Sequence, residues 1–236
     1  MYYFGLGYDQ TVLLLIPALL ITIIAQARVS SMYRRYSAVE NAYGITGAEA
    51  ARKILDANGL FDVTIEETGG RLSDHYDPRS RTMRLSAETA SGATIAGAAI
   101  AAHESGHAIQ HARRYVPLMV RNAIAVPVNV ISHLSWWLLI IGIVLIQAGR
   151  MTQGSLLFDI GVLAFAAVVV FQLVTLPVEL DASHRALKQL KLCGVLTSEE
   201  VHPARKVLSA AALTYVAALA TAVLNLLRLL LIREQN

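Results

Sequence analysis

The sequence predicts a mainly α-helical membrane protein in which four helices cross the bilayer and a small α+β region stands outside it. Composition is the first ground. Of the 236 residues, 55% are hydrophobic and 16% charged, and mean hydropathy is +0.51, too apolar for a water-soluble domain of ordinary surface. Second, the apolar residues gather into four stretches, each close to the ~20 residues that a helix needs to cross a hydrocarbon core. Third, a polar segment of domain size lies between the first two stretches and carries capping, turn and strand signals of its own.

The first stretch, Val12 to Ala27, defines an N-terminal helical segment, 1–27. It ends in Ala25-Gln26-Ala27, the small-x-small pattern that a signal peptidase reads, but no Lys or Arg precedes it as a signal peptide requires. Arg28, Arg34 and Arg35 follow it instead, which suits a retained helix with its N-terminus outside.

Residues 28–123 form the polar region. Thr46-Gly-Ala-Glu49 is a capping box, followed by Ala50, Ala51, Ile54 and Leu55 at helical spacing and stopped by Asn58-Gly59. Asp62 to Glu67 alternates with Val63 and Ile65 on one face, Gly69-Gly70 turns, and Arg81 to Ser86 alternates with Met83 and Leu85. Asp77-Pro78-Arg79-Ser80 reads as a turn between extended pieces. From Gly92 a small-residue helix begins, whose apolar run of about ten residues is too short to span a membrane and suits a buried helix.

Residues 124–176 hold two apolar stretches, Ile124 to Ala148 and Leu156 to Leu176. Residues 177–209 form a second polar segment, where Pro177 is expected to kink or begin a helix and Thr197-Ser-Glu-Glu200 is another capping box. The fourth stretch, Ala210 to Ile232, lies in 210–236, with Arg228 placed to snorkel to the interface. Asp159, Gln172 and Asn225, within apolar stretches, are expected to hydrogen-bond between helices.

Charge sets the orientation. All of the 20 Lys and Arg residues except Arg150, Arg228 and Arg233 fall in 28–123 and 177–209. These two segments are therefore expected in the cytoplasm and both termini outside. The basic residues are scattered and not interleaved with stacking aromatics, which excludes a nucleic-acid partner despite a pI of 9.1. The single cysteine, Cys193, allows no internal disulfide.

The chemistry lies in His103-Glu104-Ser105-Gly106-His107, an HExxH pattern of the zincin type. Residues four apart lie about 6 Å apart along a helix axis on one face, so two imidazoles converge on one metal ion. Glu104 then reaches the metal's water as general base, and Gly106 would let another backbone approach closely. The competing reading is a chance grouping, which an apolar, Ala-rich helix disfavours because unpartnered ionisable groups are costly to bury.

A catalytic zinc takes three protein ligands and keeps one position open. His111 is eight residues from His103, about 12 Å along the axis, and reads as a hydrogen-bonded or surface histidine. The better source is Leu176-Pro-Val-Glu-Leu-Asp-Ala-Ser-His-Arg185. Glu179 and Asp181 point about 200° apart on a helix, so one of them faces the metal, unless both merely solvate a helix at the membrane interface. Spacing alone does not choose between them. Asp74, His75, Tyr76 and Asp77 either line a substrate cleft and stabilise an oxyanion or close a hairpin.

With these segments placed, the chain resembles the YugP-like membrane zinc metallopeptidases over nearly its full length. The resemblance rests on Tyr36-Ser-Ala-Val-Glu40, Thr46-Gly-Ala-Glu-Ala50, Asp74-His-Tyr-Asp-Pro78, the HESGH segment, Leu176-Pro-Val-Glu179 and Leu208-Ser-Ala-Ala-Ala-Leu-Thr-Tyr215. It is also similar to the HtpX and CAAX-prenyl endopeptidase group, where a glutamate completing the zinc site begins an ExxxD pattern. That resemblance implies Glu179 as the third ligand beside His103 and His107. The expected aspartate is here Ser183, leaving Asp181 or His184 to take its role.

The implied protein is a multi-pass endopeptidase of a bacterial plasma membrane, with a zincin-like catalytic region facing the cytoplasm. It holds one Zn2+ and cleaves protein or peptide substrates in or near the bilayer. A membrane protein regulating access is a partner compatible with this reading. The alternative is a catalytically silent metal-binding adaptor that organises another protease or chaperone, but structure alone does not require Glu104. A transporter fits less well because the ionisable cluster lies outside the apolar stretches, and an intramembrane protease because the motif helix is too short to span.

Overall fold

The computed structural model describes residues 10–234. In chain order it contains α1 (Leu15–Ser37), α2 (Gly47–Ala57), β1 (Thr64–Thr68), β2 (His75–Asp77), β3 (Thr82–Ser86), α3 (Ala87–Ser91), α4 (Ile95–Ala112), α5 (Val116–Gln147), α6 (Met151–Leu192) and α7 (Val201–Glu234), with a short 3-10 turn at Gln10–Leu14 leading into α1. Four helices are long and apolar enough to cross a membrane: Thr11–Ser37, Val116–Gln147, Met151–Leu192 and Val201–Glu234. The fold is thus mainly helical with a small three-stranded sheet. The chain divides into two compact units, one of Ala25–Met119 with Pro177–Thr214, the other of 1–24, 120–176 and 215–236.

In the first unit, local signals set the elements. Thr46 caps α2 with its hydroxyl on the Glu49 amide while the Glu49 carboxylate takes the Thr46 amide, so two otherwise orphaned donors are satisfied. Gly59, at φ +73°, ends the helix in a conformation that side chains resist. The sheet order is β1-β3-β2, with β1 parallel and β2 antiparallel to the central β3. Met83 and Leu85 of β3 are fully buried. The turn at Asp77 to Ser80 closes the β2–β3 hairpin through Asp77, which accepts from the Arg79 amide and the Ser80 hydroxyl.

Helix α4 begins at Ile95, capped by the Thr94 hydroxyl on the Gly97 amide; Gly92 belongs to the end of α3. Its small residues have a packing cause. Ala96, Ala98, Ala99, Ala101, Ala102 and Ala108 are all essentially inaccessible to solvent, in a cluster with Ile54, Leu55, Met83, Leu85 and Leu190. Helices α2 and α3 and strands β2 and β3 all pack against it, which leaves little room for larger side chains.

Pro177 does not begin a helix: α6 runs without interruption from Met151 to Leu192. The missing amide hydrogen costs one helical bond, which a long helix with its other bonds intact tolerates. The capping box at Thr197 forms, with the Glu200 carboxylate on the Thr197 amide and the Thr197 hydroxyl on the Glu200 amide. The other oxygen of Glu200 accepts from the Ala42 amide at 2.7 Å, tying this turn to the start of the polar region.

The second unit packs on glycine. A Cβ on Gly142 would stand 2.8 Å from the Phe158 nitrogen, and one on Gly154 2.7 Å from the Ile146 nitrogen. Only small residues permit this backbone approach of α5 and α6, the packing mode that membrane helices use. Leu139, Phe158 and Val162 form its core with Leu226, Leu229 and Ile232 of α7. Leu134, Trp136, Trp137, Leu163 and Leu173 point outward and exposed, as a lipid-facing surface requires. Asp159 pairs with Arg233 across helices, whereas Asn225 bonds Thr221 within its own helix. Arg228 donates to the Thr11 hydroxyl at 3.3 Å.

Candidate metal centre

The two histidines of the motif sit one turn apart on α4, with ring centroids 4.8 Å apart and planes nearly perpendicular. Glu179 comes from α6 and is 2% exposed. Its Oε2 lies 3.2 Å from His103 Nε2 and 3.5 Å from His107 Nε2. One ligand atom from each of the three residues falls within 4.8 Å of the others. Ligands about 2.0–2.1 Å from a tetrahedral zinc stand about 3.3 Å from one another. The three residues therefore fit a zinc ion by donor chemistry and by spacing.

Asp181 stands elsewhere. Its Oδ2 accepts from Gln110 Nε2 at 2.8 Å and from Arg185 Nε at 2.6 Å. Of the two carboxylates that spacing left open, the structure brings Glu179 to the histidines and leaves Asp181 behind Gln110.

Gln110 was not singled out by the sequence and proves central. It is fully buried on α4, and its amide nitrogen donates to Asp181 Oδ2 and to the Val178 carbonyl, each at 2.8 Å. A carbonyl and an ionised carboxylate only accept, so the amide orientation is forced. Its Oε1, 3.0 Å from His107 Nδ1, must then accept. The proton is thereby placed on Nδ1, and the Nε2 lone pair of His107 is left facing Glu179. A buried glutamine three residues past the second histidine, on the same helical face, was the available signal.

His103 is held differently. Its Nδ1 lies 3.2 Å from the hydroxyl of Ser183 on α6. The position where the resemblance leads one to expect an aspartate thus touches His103 directly through the shorter serine. His184 is exposed and takes no part in this contact. Each imidazole has its far nitrogen engaged, His103 directly by α6 and His107 through Gln110 and Asp181.

Gly106 permits this geometry. A Cβ there would stand 2.6 Å from the Ala182 carbonyl oxygen and 3.2 Å from its Cα. No side chain fits, so α6 lies against α4 within one turn of both histidines.

Glu104 is 8% exposed. Burial raises its carboxyl above the ordinary range, with His107 and His103 opposing. For His107, burial disfavours the proton, but the contacts with Glu179 and Glu104 outweigh it and the pKa is raised.

The Asp74 to Asp77 segment is spent on structure. Asp74 accepts from the amide and hydroxyl of Ser86, ahead of α3. Asp77 holds the hairpin turn, and His75 Nδ1 bonds the Ser73 carbonyl oxygen in an exposed position. Tyr76 bonds His111 Nδ1 at 3.0 Å, so His111 is a hydrogen-bonded histidine outside the cluster.

Comparison with known proteins bears on this arrangement. A family model described as "Putative neutral zinc metallopeptidase" matches residues 11–234. A relative from Bacillus subtilis (strain 168), described as "Putative membrane protease YugP", is 44% identical over 230 residues, covering 95% of this chain and 99% of its own. No solved structure matches the chain.

Proposed function

The chain belongs to the neutral zinc metallopeptidase family, and from that premise we propose that it is an integral membrane zinc endopeptidase. His103, His107 and Glu179 hold one Zn2+, Glu104 is the general base, and the substrates are membrane or membrane-proximal proteins. The observation that carries this reading is the convergence of both Nε2 atoms on one buried carboxylate at zinc-like spacing, on the helix that also bears Glu104.

Zinc, when bound, supplies a Lewis acid that polarises the scissile carbonyl and brings the pKa of its water toward about 7. The chain's own residues do the rest. Glu104 takes the proton of the attacking water and returns it to the departing amine, a role for which its burial suits it. Gln110 keeps the proton of His107 on Nδ1, and Ser183 holds the ring of His103. Glu179 offers its charge to the metal from a nearly dry position.

The reading is tested on detergent-purified full chain. It should contain close to one zinc per chain and cleave an unstructured protein such as casein. A chelator should abolish cleavage and added zinc restore it. A zinc-loaded preparation without cleavage of any of a broad set of proteins and peptides would favour the adaptor reading instead.

The orientation is also a proposal: 28–123 and 177–209 face the cytoplasm, because they carry nearly all the Lys and Arg. With Cys193 replaced, a cysteine at Ser73, beside the β2–β3 hairpin, should resist a membrane-impermeant thiol reagent in intact cells and react after lysis. Labelling in intact cells would reverse the topology.

A further inference from the structure

Arg28, Met32 and Arg35 of α1 and Arg205, Lys206 and Ser209 of α7 line one cavity of about 340 Å³. Arg28, Met32 and Arg35 recur at helical spacing and so form one stripe of α1, and the three residues of α7 likewise share a face. Several other guanidinium groups find carboxylates: Arg52 pairs with Asp56, Arg81 with Asp62, Arg84 with Glu66 and Arg185 with Asp181. The four cations of the cavity make no ion pair among the described residues; Arg35 does lie over the Tyr36 ring, 5.4 Å from its centroid. Like charges gathered around one concavity repel each other, and that arrangement is relieved when an anion enters.

The position identifies the anion. Arg28 directly follows the apolar stretch that ends at Ala27, and Ser209 directly precedes the one that begins at Ala210. The cavity therefore opens where hydrocarbon gives way to headgroups, the depth of lipid phosphates. Arginine forks match the paired oxygens of a phosphodiester, and a serine hydroxyl adds a donor. We propose that this cavity is a binding site for the phosphate headgroup of an anionic phospholipid, separate from the metal centre and independent of the zinc reading.

The test uses full-length protein in detergent, titrated with phosphatidylglycerol or with phosphatidylcholine of the same acyl chains, the bound lipids counted by native mass spectrometry. One phosphatidylglycerol should bind more tightly than any phosphatidylcholine. The variant R28Q/R205Q/K206Q should bind it on the order of a hundredfold more weakly, since each basic residue contributes roughly a fivefold preference. A control with equal charge loss at exposed positions, R79Q/K188Q/K191Q, should retain it. If the triple variant cannot be purified folded, K206Q alone should weaken binding by roughly fivefold. Equal loss in the control would reduce the effect to bulk charge and overturn the proposal. Displacement of the lipid by millimolar inorganic phosphate, without preference for phosphatidylglycerol, would make the cavity a free-anion site and also overturn it.

Discussion

Glu104→Gln is expected to keep zinc bound while lowering kcat on peptide substrates by about 10²–10⁴-fold, the usual worth of a positioned general base. That range corresponds to about 3–5 kcal/mol of barrier. The amide has the shape of the carboxylate but cannot accept the water's proton. Stability supplies a second readout with the opposite sign. Burial raises the Glu104 carboxyl pKa, which means that the ionised form is disfavoured where it stands. In the metal-free protein a neutral amide removes that cost, so the metal-free thermal midpoint should hold or rise while activity of the loaded enzyme collapses, the trade-off expected of a residue kept for chemistry. Metal analysis, initial rates and a melting curve of the metal-stripped protein check all three. Full activity in a preparation free of other proteases would remove Glu104 from the mechanism.

The second large effect separates the two carboxylates of α6. Glu179→Ala should empty the metal centre, with zinc per chain falling well below one after dialysis, because the two histidines alone leave the ion without a third protein ligand. Asp181→Asn should keep its zinc. An asparagine still offers an oxygen to the Gln110 amide, so His107 stays oriented. Gln110→Met removes that orientation altogether, and zinc affinity should drop by about 10–100-fold, the usual loss when a ligand's outer partner goes. The order of zinc retention should therefore be Asp181→Asn, then Gln110→Met, then Glu179→Ala. Zinc retained in Glu179→Ala and lost in Asp181→Asn would mean that α6 turns its other face to the histidines.

What the sequence revealed of this protein follows the range over which its forces act. The capping boxes at Thr46 and Thr197 involve residues three apart, and both form as read. The four apolar helices were legible from composition alone, but their ends were not. Helix α6 passes through Pro177 and continues to Leu192, because packing of Val178, Ala182, Ala186 and Leu190, all fully buried, favours helix beyond the apolar stretch. Strand β2 carries no alternation of its own; His75 to Asp77 is held in strand by pairing to β3. At the metal centre, the histidine spacing is local, and the choice of Glu179 came from resemblance. Gln110 escaped notice because two of its three partners, Val178 and Asp181, become its neighbours only when α6 docks on α4.

The contact between α4 and α6 also sets a clock. His103 and Glu179 are 76 residues apart in the chain, and the whole of α5 and the apolar part of α6 lie between them. During synthesis the histidine pair leaves the ribosome first, before Val178 and Asp181, the partners that orient Gln110, have been made. The carboxylate arrives only after two further apolar helices have been made. A nascent chain halted before Pro177 can display the HESGH motif yet lacks the group that completes the proposed centre. Completion of the proposed centre is thus deferred until three of the four apolar stretches have been synthesised.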